Sequence, residues 1–446
     1  MYCIFFGKRL SALVVRLLWL AVLNTTALNA TELAPQPDIL TLQDAAKRLL
    51  QQHPQLQVFD WRIQAAVGQQ QLSGLKPGYE LAVSAENPPD SADVSGLKDL
   101  QLTVALSSVV ELGDKRRARM AAVGAEQQLL LAQRQAASLD LLGELTQRFI
   151  SVLTLQQKQL LATDAIAISQ QALQMVSLRV QRGAAPPAEQ LRAKVLLHQA
   201  QLQQGLLQAE LDSSKLVLAS LWGAGQANFS AVAGDLFALS ASVDFNRLYQ
   251  QLLSTPQLAV FAARQRVQQA RLELVQSQSS ADVRWQLGLM RSQHSGDIGL
   301  QAQLSLPLFS RQRNQGALVS AQAQLNAEHH SSEHELLQLR ARLYQAWHSH
   351  RYSAMAVRDL QRDIVPALQQ ALQQTEEAYQ SGRYGYSEWL SARQALLDAR
   401  LQLVDAASTA LSNQALIEQL SGVAVGVASF SSPAFSQPVI TAAGTP

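Results

Sequence analysis

The sequence has one cysteine among its 446 residues, and that residue is Cys3. A disulfide needs two cysteines, and a thiolate metal site or a cysteine nucleophile needs at least one in the folded part of the chain. All three are therefore excluded from everything after residue 3. Cys3 also precedes the apolar part of the N-terminal segment, where it cannot serve as a lipoprotein acylation site.

Aromatic residues make up 6% and charged residues 16% of the chain, whereas 48% of it is apolar. A disordered protein is poorer in apolar residues and richer in charge, so we expect this chain to fold. The commonest polar residue is Gln, with 59 copies. Ala, Leu and Gln in these proportions indicate long helices whose polar faces carry little charge.

Residues 1–30 have the features of a secretory signal peptide, and no later apolar run is long enough to be a membrane-spanning helix. Two basic residues are followed by an apolar stretch over 10–23, and Ala30 stands before the expected cleavage point. Cleavage after Ala27 is an alternative. A membrane anchor is less favoured because the stretch is short and contains Arg16.

Net charge gives no support for a nucleic-acid partner. Residues 1–30 hold 3 of the 36 basic residues and no acidic one, which leaves 33 basic against 34 acidic residues, or −1, after cleavage. A protein that binds nucleic acid through its phosphates needs an excess of Lys and Arg. The mature chain has no such excess.

Catalytic and metal-binding motifs are also missing. The sequence has no Ser/His/Asp constellation, phosphate loop or GxGxxG motif, so we expect neither an enzyme nor a cofactor. His330 and His334 are four residues apart on a predicted helix, a spacing that could chelate zinc. Because no carboxylate or third histidine follows with motif-like spacing, a solvated helix face is favoured over a metal site.

The chain consists of two copies of one unit. Pro54-Gln55-Leu56 recurs as Pro256-Gln257-Leu258, and similar matches recur farther along the chain. The offset of about 200 residues predicts two repeats. The predicted segments are the first repeat over 42–223, a linker of small residues over 224–242, the second repeat over 243–422 and a flexible tail over 423–446.

Each repeat contains two stretches in which apolar and polar residues alternate. The stretches cover 79–86 and 100–107 in the first repeat, and 283–289 and 298–306 in the second. Period two gives a strand one apolar and one polar face. Turn-rich segments over 87–98 and 291–297 connect the strands of each pair as hairpins.

Helical periodicity follows each strand pair. Asp114–Arg182 contains no proline, and a helix of this length would be on the order of 100 Å long. The chain then turns at Gly183, which suits the left-handed position after a helix, and returns. The second repeat does the same over 314–380 and turns at Gly382, and Pro366 is expected to interrupt its long helix.

The apolar strand faces need a partner that the long helices do not provide. One solution is a soluble α+β core. The other is lipid, which requires a closed barrel because free strand edges are not tolerated in a membrane. Four strands cannot close a barrel, but three chains supply twelve. Tyr79, Trp285 and Phe309 fall at the helix-proximal strand ends, where an interfacial aromatic girdle would lie, so the pattern favours the trimeric barrel.

Several segments resemble the TolC-like outer-membrane efflux protein family over nearly all of the mature chain. They are Asp363-Ile364-Val365-Pro366, Ala378-Tyr379-Gln380-Ser381-Gly382, Glu388-Trp389-Leu390-Ser391-Ala392-Arg393 and Leu304-Ser305-Leu306-Pro307-Leu308-Phe309. Glu111-Leu112-Gly113-Asp114-Lys115-Arg116, with Arg119, is similar to the corresponding segment of the CzcC-like branch. That branch serves heavy-metal efflux.

The resemblance implies an α+β membrane protein, a homotrimer with a 12-stranded outer-membrane β-barrel of four strands per chain. A long α-helical barrel would continue it across the periplasm of a Gram-negative bacterium. The implied function is a passive conduit for cobalt-, zinc- or cadmium-like cations. Its implied partners are outer-membrane lipid, a periplasmic adaptor (membrane fusion protein) and an inner-membrane resistance–nodulation–division pump.

Alternatives to this function remain open. The same type of conduit could serve drugs or other small molecules, or type I secretion, because a channel wall need not recognise its cargo. A secreted coiled-coil adhesin or scaffold would need no lipid-facing strands and would be extracted from cells without detergent.

The resemblance assigns the periplasmic tip, which docks the adaptor and closes the channel, to the two turns between long helices. Its residues are Arg182, Gly183, Ala184, Ser381, Gly382 and Arg383. From spacing alone, plain helical hairpins that need a glycine are favoured. Glu189 and Glu388 follow the turns, and three copies of either would form a carboxylate ring that favours cations. For Glu189 a solvated position in a first helical turn is preferred.

Overall fold

The computed structural model describes residues 39–86, 100–241, 243–292 and 296–422. The expected signal peptide, the C-terminal tail, the first hairpin loop and the centre of the second loop lie outside these residues. The same order of elements appears twice in the described chain: two helices, a strand pair, a long outgoing helix and a return helix.

The helices and strands have the following bounds. The first repeat contains β1 (Ile39–Leu40), α1 (Leu42–Gln52), α2 (Pro54–Ser73), β2 (Glu80–Glu86), β3 (Gln101–Val110), α3 (Lys115–Gln181) and α4 (Pro187–Ser220). Then follow β4 (Ala231–Val232), α5 (Phe245–Leu252), α6 (Pro256–Ser277), β5 (Val283–Ser292) and β6 (Ile298–Ser305). The remaining described elements are α7 (Ser310–Arg313), α8 (Gln315–Asp359), a π-helical turn (Leu360–Ile364), α9 (Val365–Gln380) and α10 (Tyr386–Ser421).

Strands β2, β3, β5 and β6 form one antiparallel sheet in that order. The register aligns Leu81 with Leu106, Leu106 with Leu287, and Leu287 with Ala302, so one face is apolar across all four strands. The predicted alternation is therefore confirmed. Most of these apolar side chains are exposed, and Leu300 is 79% accessible.

Two left-handed residues turn the chain from strand to helix at equivalent points of the repeats. Asp114 has φ of 55° just before α3, and Phe309 has φ of 63° just before α7. Gly113 also has positive φ, and a Cβ there would lie 2.3 Å from Ser280 Oγ. Only glycine fits this position, because both the backbone angle and the space exclude a side chain.

The long helices lie side by side. Helices α2, α4, α6 and α10 all pack on α3, and α8 packs on α6 and α10. Ion pairs join neighbours along this layer, including Arg134 with Asp60 at 2.8 Å and Arg271 with Glu126 at 2.8 Å. None of the described helices is both long and apolar enough to cross a membrane.

The largest buried cluster surrounds the middle of α3. Leu145 and Val152 of α3 are fully buried in it. The predicted linker over 224–242 joins this core through Phe229 and Leu236, and β4 pairs in parallel with β1. The segment that links the repeats therefore also contributes to the core, because its few large apolar side chains are buried among small residues.

The two outgoing helices differ. Helix α3 is continuous over 67 residues. In the second repeat a π-helical turn separates α8 from α9, and the N–H of Val365 donates to the carbonyl of Leu360, five residues back. Pro366 follows at once and has no N–H to donate. The interruption predicted at Pro366 is confirmed.

Candidate functional site

Both inter-helix turns are closed by the same hydrogen bonds. In the first, Gly183 has φ of 72°, its N–H donates to Val180 O at 3.0 Å, and the N–H of Ala184 donates to Arg179 O at 2.8 Å. This is the Schellman arrangement, which satisfies two of the free carbonyls at a helix end.

The second turn repeats it. Gly382 has φ of 75°, and its N–H donates to Tyr379 O at 3.0 Å, while Arg383 N donates to Ala378 O at 2.9 Å. The structure thus places Arg182, Gly183 and Ala184 in one exposed turn, and Ser381, Gly382 and Arg383 in the other.

An aromatic cluster packs directly behind the turns. Tyr379 stacks on Trp389 with ring centroids 5.1 Å apart and 9° between planes, and Tyr386 contacts both rings. All three side chains are buried and pack with Val176 of α3 and Ala193 of α4. The turn region of the second repeat is therefore packed against the turn region of the first.

Tyr379 also carries the polar contacts between the two turns. Its hydroxyl donates to Glu189 Oε2 at 3.0 Å. Arg179 lies 4.4 Å from its ring centroid, donates to its backbone carbonyl, and donates to Ala184 O at 3.2 Å. Burial, together with the hydrogen bond to Glu189, raises the pKa of Tyr379 to about 12. The phenol therefore stays protonated at physiological pH.

The two glutamates differ in a way that the sequence did not reveal. Glu189 is half-buried and bound to Tyr379, so its description as a solvated first-turn residue was incomplete. Its partner lies 190 positions away in the second repeat, and no local pattern could show the contact. Glu388 is exposed and accepts a hydrogen bond from Ser387 at 2.9 Å.

Hydrogen bonding also acts on the charge of Glu388. The hydrogen bond from its own backbone N–H and that from the Ser387 hydroxyl lower the pKa of Glu388. The carboxylate therefore stays ionised in mild acid, as a cation-favouring ring would need.

A partly buried cation lies farther along the same pair of helices. Arg393 of α10 donates to Ser169 Oγ and to Ala165 O of α3. Burial lowers the pKa of Arg393. The guanidinium thus ties the return helix of one repeat to the outgoing helix of the other.

The histidine pair does not converge on a common point. His330 Nδ1 lies 3.0 Å from Glu333 Oε2, and His334 Nε2 lies 2.9 Å from Gln338 Nε2. Among the described residues, no three or more His, Cys, Asp and Glu side chains are arranged to hold a metal ion. Both histidine side chains are exposed on the helix.

The segment that resembled the CzcC-like branch lies at the opposite end of the molecule from the turns. Glu111 accepts two hydrogen bonds from the guanidinium of Arg119, and Lys115 Nζ pairs with Asp282 Oδ1 at 2.7 Å. The bond to Glu111 raises the pKa of Arg119. Because Lys115 belongs to the first repeat and Asp282 to the second, the ion pair between them joins the two repeats at this end.

Comparison with known families decides where the chain belongs. The family model of the outer membrane efflux protein matches residues 45–224 and 247–423. The chain belongs to the outer membrane efflux protein family. The resemblance found in the sequence is confirmed.

A curated relative and solved structures agree with this assignment. The cobalt-zinc-cadmium resistance protein CzcC of Cupriavidus metallidurans is 26% identical over 326 residues, which are 73% of this chain and 76% of CzcC. A crystal structure of CusC, a protein described by its conformational changes on folding and transmembrane channel formation, has a TM-score of 0.73 at 16% identity. The match covers 86% of this chain and 92% of the CusC chain. The outer membrane protein VceC of Vibrio cholerae has a TM-score of 0.71 at 20% identity, covering 86% and 97%. The fold is that of outer-membrane efflux channels.

Tyr379, Trp389 and Arg179 were not among the sequence-predicted site residues. Tyr379 and Trp389 stand in the segments that carried the family resemblance, but nothing in their spacing indicated a stack across a turn. Arg179 appears only as a basic residue in the last turn of a helix. Its contact with Tyr379 crosses between repeats, which a single sequence does not disclose.

Proposed function

We propose that this protein is the outer-membrane channel of a tripartite efflux system and conducts its cargo passively from the periplasm to the outside. The observation that carries the proposal is the four-stranded sheet with one exposed apolar face, joined to helices of about 100 Å. That length is suited to crossing the periplasm. The chain would supply a conduit, and energy would come from an inner-membrane pump.

The sheet supports assembly because both of its edges are free. Strand β2 is at one edge and β6 is at the other, and neither pairs with a further strand among the described residues. A free edge cannot be tolerated in lipid, since its unpaired N–H and C=O groups would be desolvated. Edge β2 of one chain and edge β6 of the next would satisfy each other.

The helical layer has two free edges on the same two sides. On α4, exposed apolar residues lie on the face opposite Leu207 and Leu211, which are buried. They are Leu191, Val195, Leu202 and Leu206. Helix α2, which leads into β2, continues this edge with Trp61 and Leu72 exposed.

The other edge is formed by α8, which follows β6 and α7. Its exposed apolar residues are Val319, Leu337, Tyr344 and Met355, and they lie on the face opposite Leu343 and Ala346, which are buried. The two edges differ, so chains would join head to tail, and such an interface gives a ring when the rotation between successive chains closes. Three chains give twelve strands, an even number within the range of outer-membrane barrels.

The turns would form the periplasmic end that docks an adaptor protein and gates the channel. Three copies of the exposed Glu388 near the symmetry axis would form an acidic ring, and Tyr379 bound to Glu189 would hold the closed arrangement. An adaptor can open the channel only by binding the open arrangement more tightly than the closed one.

Cargo is proposed as divalent metal cations of the cobalt, zinc or cadmium type, moved with a proton-driven resistance–nodulation–division pump. The support is the identity with the cobalt-zinc-cadmium resistance protein CzcC. A deletion strain should lose tolerance to these metals. Unchanged metal tolerance with heightened sensitivity to dyes or antibiotics would favour a drug conduit.

Assembly and orientation have direct tests. The mature protein should need detergent for extraction and should have the mass of a trimer in it, whereas a detergent-free monomer would support the scaffold alternative. An epitope inserted at Ser91, in the first hairpin loop, should be labelled on intact cells. Labelling only after rupture of the outer membrane would contradict the orientation.

The acidic ring is tested by Glu388→Gln. Removing three charges should lower the preference for cations in single-channel recordings, because a narrow ring of carboxylates attracts cations. The matched change Glu189→Gln should affect selectivity less, since Glu189 is bound to Tyr379. Equal selectivity of unaltered and Glu388→Gln channels would remove Glu388 from the pore.

A further inference from the structure

One edge of the sheet carries an excess of positive charge that the conduit itself does not need. The starts of β2 and β5 and the ends of β3 and β6 lie together there, because Glu80 pairs with Ser107, Val110 with Val283, and Arg284 with Ser305. Helices α3 and α7 begin directly beyond this edge. We call this row of strand ends the helix-proximal edge, which is distinct from the edge strands β2 and β6.

Basic residues outnumber acidic ones at the helix-proximal edge. Its charged residues are Lys76, Lys115, Arg116, Arg117, Arg119, Arg284, Arg311 and Arg313 against Glu80, Glu111, Asp114 and Asp282. Eight basic and four acidic residues give a net charge of +4 per chain, or +12 in the proposed trimer. Such an excess attracts anions by summed potential.

Internal ion pairs use only part of this charge. Lys115 pairs with Asp282 at 2.7 Å, Arg119 pairs with Glu111, and Arg284 Nη1 lies 3.7 Å from Glu80. Four exposed arginines in the first turns beyond the strands have no carboxylate partner among the described residues. They are Arg116, Arg117, Arg311 and Arg313.

The free arginines adjoin the apolar face of the sheet. Tyr79 and Trp285 are in edge-to-face contact there, with ring centroids 6.3 Å apart. Phe309, two residues before Arg311, is 69% exposed. Aromatic rings of this kind mark the level of lipid head groups in membrane proteins. Cationic side chains just beyond that level meet the head-group phosphates.

The opposite edge of the sheet lacks this excess. Among the described residues it carries Glu86, Arg291 and Asp297, a net charge of −1. The excess of positive charge is therefore confined to the helix-proximal edge. Charge complementarity therefore selects one membrane leaflet.

We propose that Arg116, Arg117, Arg311 and Arg313 form a collar that binds the phosphate groups of anionic glycerophospholipids in the periplasmic leaflet of the outer membrane. The inference rests on the proposed function, because it takes the apolar face as lipid-facing and the helices as periplasmic. The collar positions the barrel in depth. In each repeat an arginine stands two residues after the left-handed kink, Arg116 after Asp114 and Arg311 after Phe309.

Quenching of tryptophan fluorescence by brominated lipids tests the collar. The purified trimer is placed in vesicles that contain brominated phosphatidylcholine or brominated phosphatidylglycerol, and the signal of a Trp285→Phe variant is subtracted. We expect Trp285 to be quenched more strongly by the anionic lipid, with a relative binding constant on the order of five-fold or more. Salt should reduce the preference.

Matched variants assign the effect to the four arginines. Replacing all four with Gln should bring the preference to about one, whereas replacing all four with Lys should retain it. Replacing Arg192, Arg342, Arg358 and Arg362, which are exposed and far from the sheet, with Gln should leave it unchanged.

The outcomes separate the inference from the function on which it rests. Quenching by phosphatidylcholine without preference for the anionic lipid, or a preference that survives in the four-Gln variant, overturns the collar alone. Absence of quenching by either lipid overturns the membrane-embedded sheet and the collar with it.

Discussion

At the scale of single residues, Tyr379 holds both turns through its ring, its hydroxyl and its backbone carbonyl. The hydroxyl bond to a carboxylate is of the stronger, charge-assisted type. Its partner Glu189 belongs to the other repeat. A change in this one side chain therefore acts on the contact between the repeats beside the turns.

Tyr379→Phe should loosen the closed channel while keeping the stack on Trp389. Loss of a hydrogen bond to a charged group costs about 1.5–3 kcal/mol, so the resting open fraction should rise by on the order of ten-fold or more. Single-channel recordings at resting potential measure it. The control is Tyr384→Phe, which changes an exposed tyrosine in the turn that follows Tyr379. Equal leak in both variants would contradict the clamp, that is, the contact of Tyr379 with Glu189.

The pH dependence of this clamp follows from the pKa of Tyr379. A pKa raised from an ordinary value of 10.0 to about 12 means that the protonated phenol stabilises the closed turns fully below pH 10. That stabilisation is lost as pH rises from 10 to 12. Resting conductance should therefore not change through Tyr379 between pH 7 and 9.

Gly382→Val should abolish efflux without dissolving the trimer. At φ of 75° a β-branched residue is strained, although no atom lies within 4 Å of its Cβ, and the cost is on the order of 1–2 kcal/mol or more at the turn alone. Gly382→Asn is the matched control, because Asn tolerates left-handed backbone. Full metal resistance in the Val variant would show that the turn is neither the docking nor the gating element.

At the scale of elements, the long helices differ although they derive from one repeated unit. Helix α3 is unbroken, whereas the second outgoing helix has a π-helical turn over Leu360–Ile364 and then Pro366, which lies 14 residues before its last residue, Gln380. A freed carbonyl and a missing N–H make such a point easier to bend. If the outgoing helices bend to move the turns, the bend should therefore occur mainly in the second repeat.

Pro366→Ala is the test of that asymmetry. Alanine restores an N–H and a good helix former, so the melting temperature should rise by a few degrees and adaptor-dependent efflux should fall. Gln369→Ala, one turn along and exposed, controls for the loss of a side chain. Unchanged efflux in a stabilised Pro366→Ala trimer would rule out a hinge at this site.

Period and turn chemistry predicted the helices and strands well from the sequence. The alternation of Leu81 and Val83, or of Leu287 and Leu289, is a local property, and so are the glycines after long helices. The contact of Glu189 with Tyr379 and the burial of Phe229 depend on chain segments far away. These could not be predicted, because a single sequence carries no record of pairing across 100 to 200 residues.

At the scale of the whole molecule, the two unlike edges are the surfaces through which the proposed trimer would assemble. Leu202→Glu should weaken the trimer, because it places a charge in an apolar stripe that the next chain would cover. Gln201→Glu changes an exposed neighbour on a polar side of the same helix and should not. Mass measurement in detergent, with subunit exchange as a second readout, distinguishes them, and equal trimer fractions would contradict the assigned edge.

The two limits of the described chain, near Leu40 and Gly422, both lie part-way along the long helices. Leu40 is buried beside the middle of α3, and a Cβ at Gly422 would lie 3.4 Å from Thr255 Cγ2, at the start of α6. Both limits of the described residues, and the segment that links the repeats, therefore lie away from both the sheet and the turns. A reporter domain fused after residue 422 would therefore lie beside the long helices and leave both the sheet and the turns unobstructed.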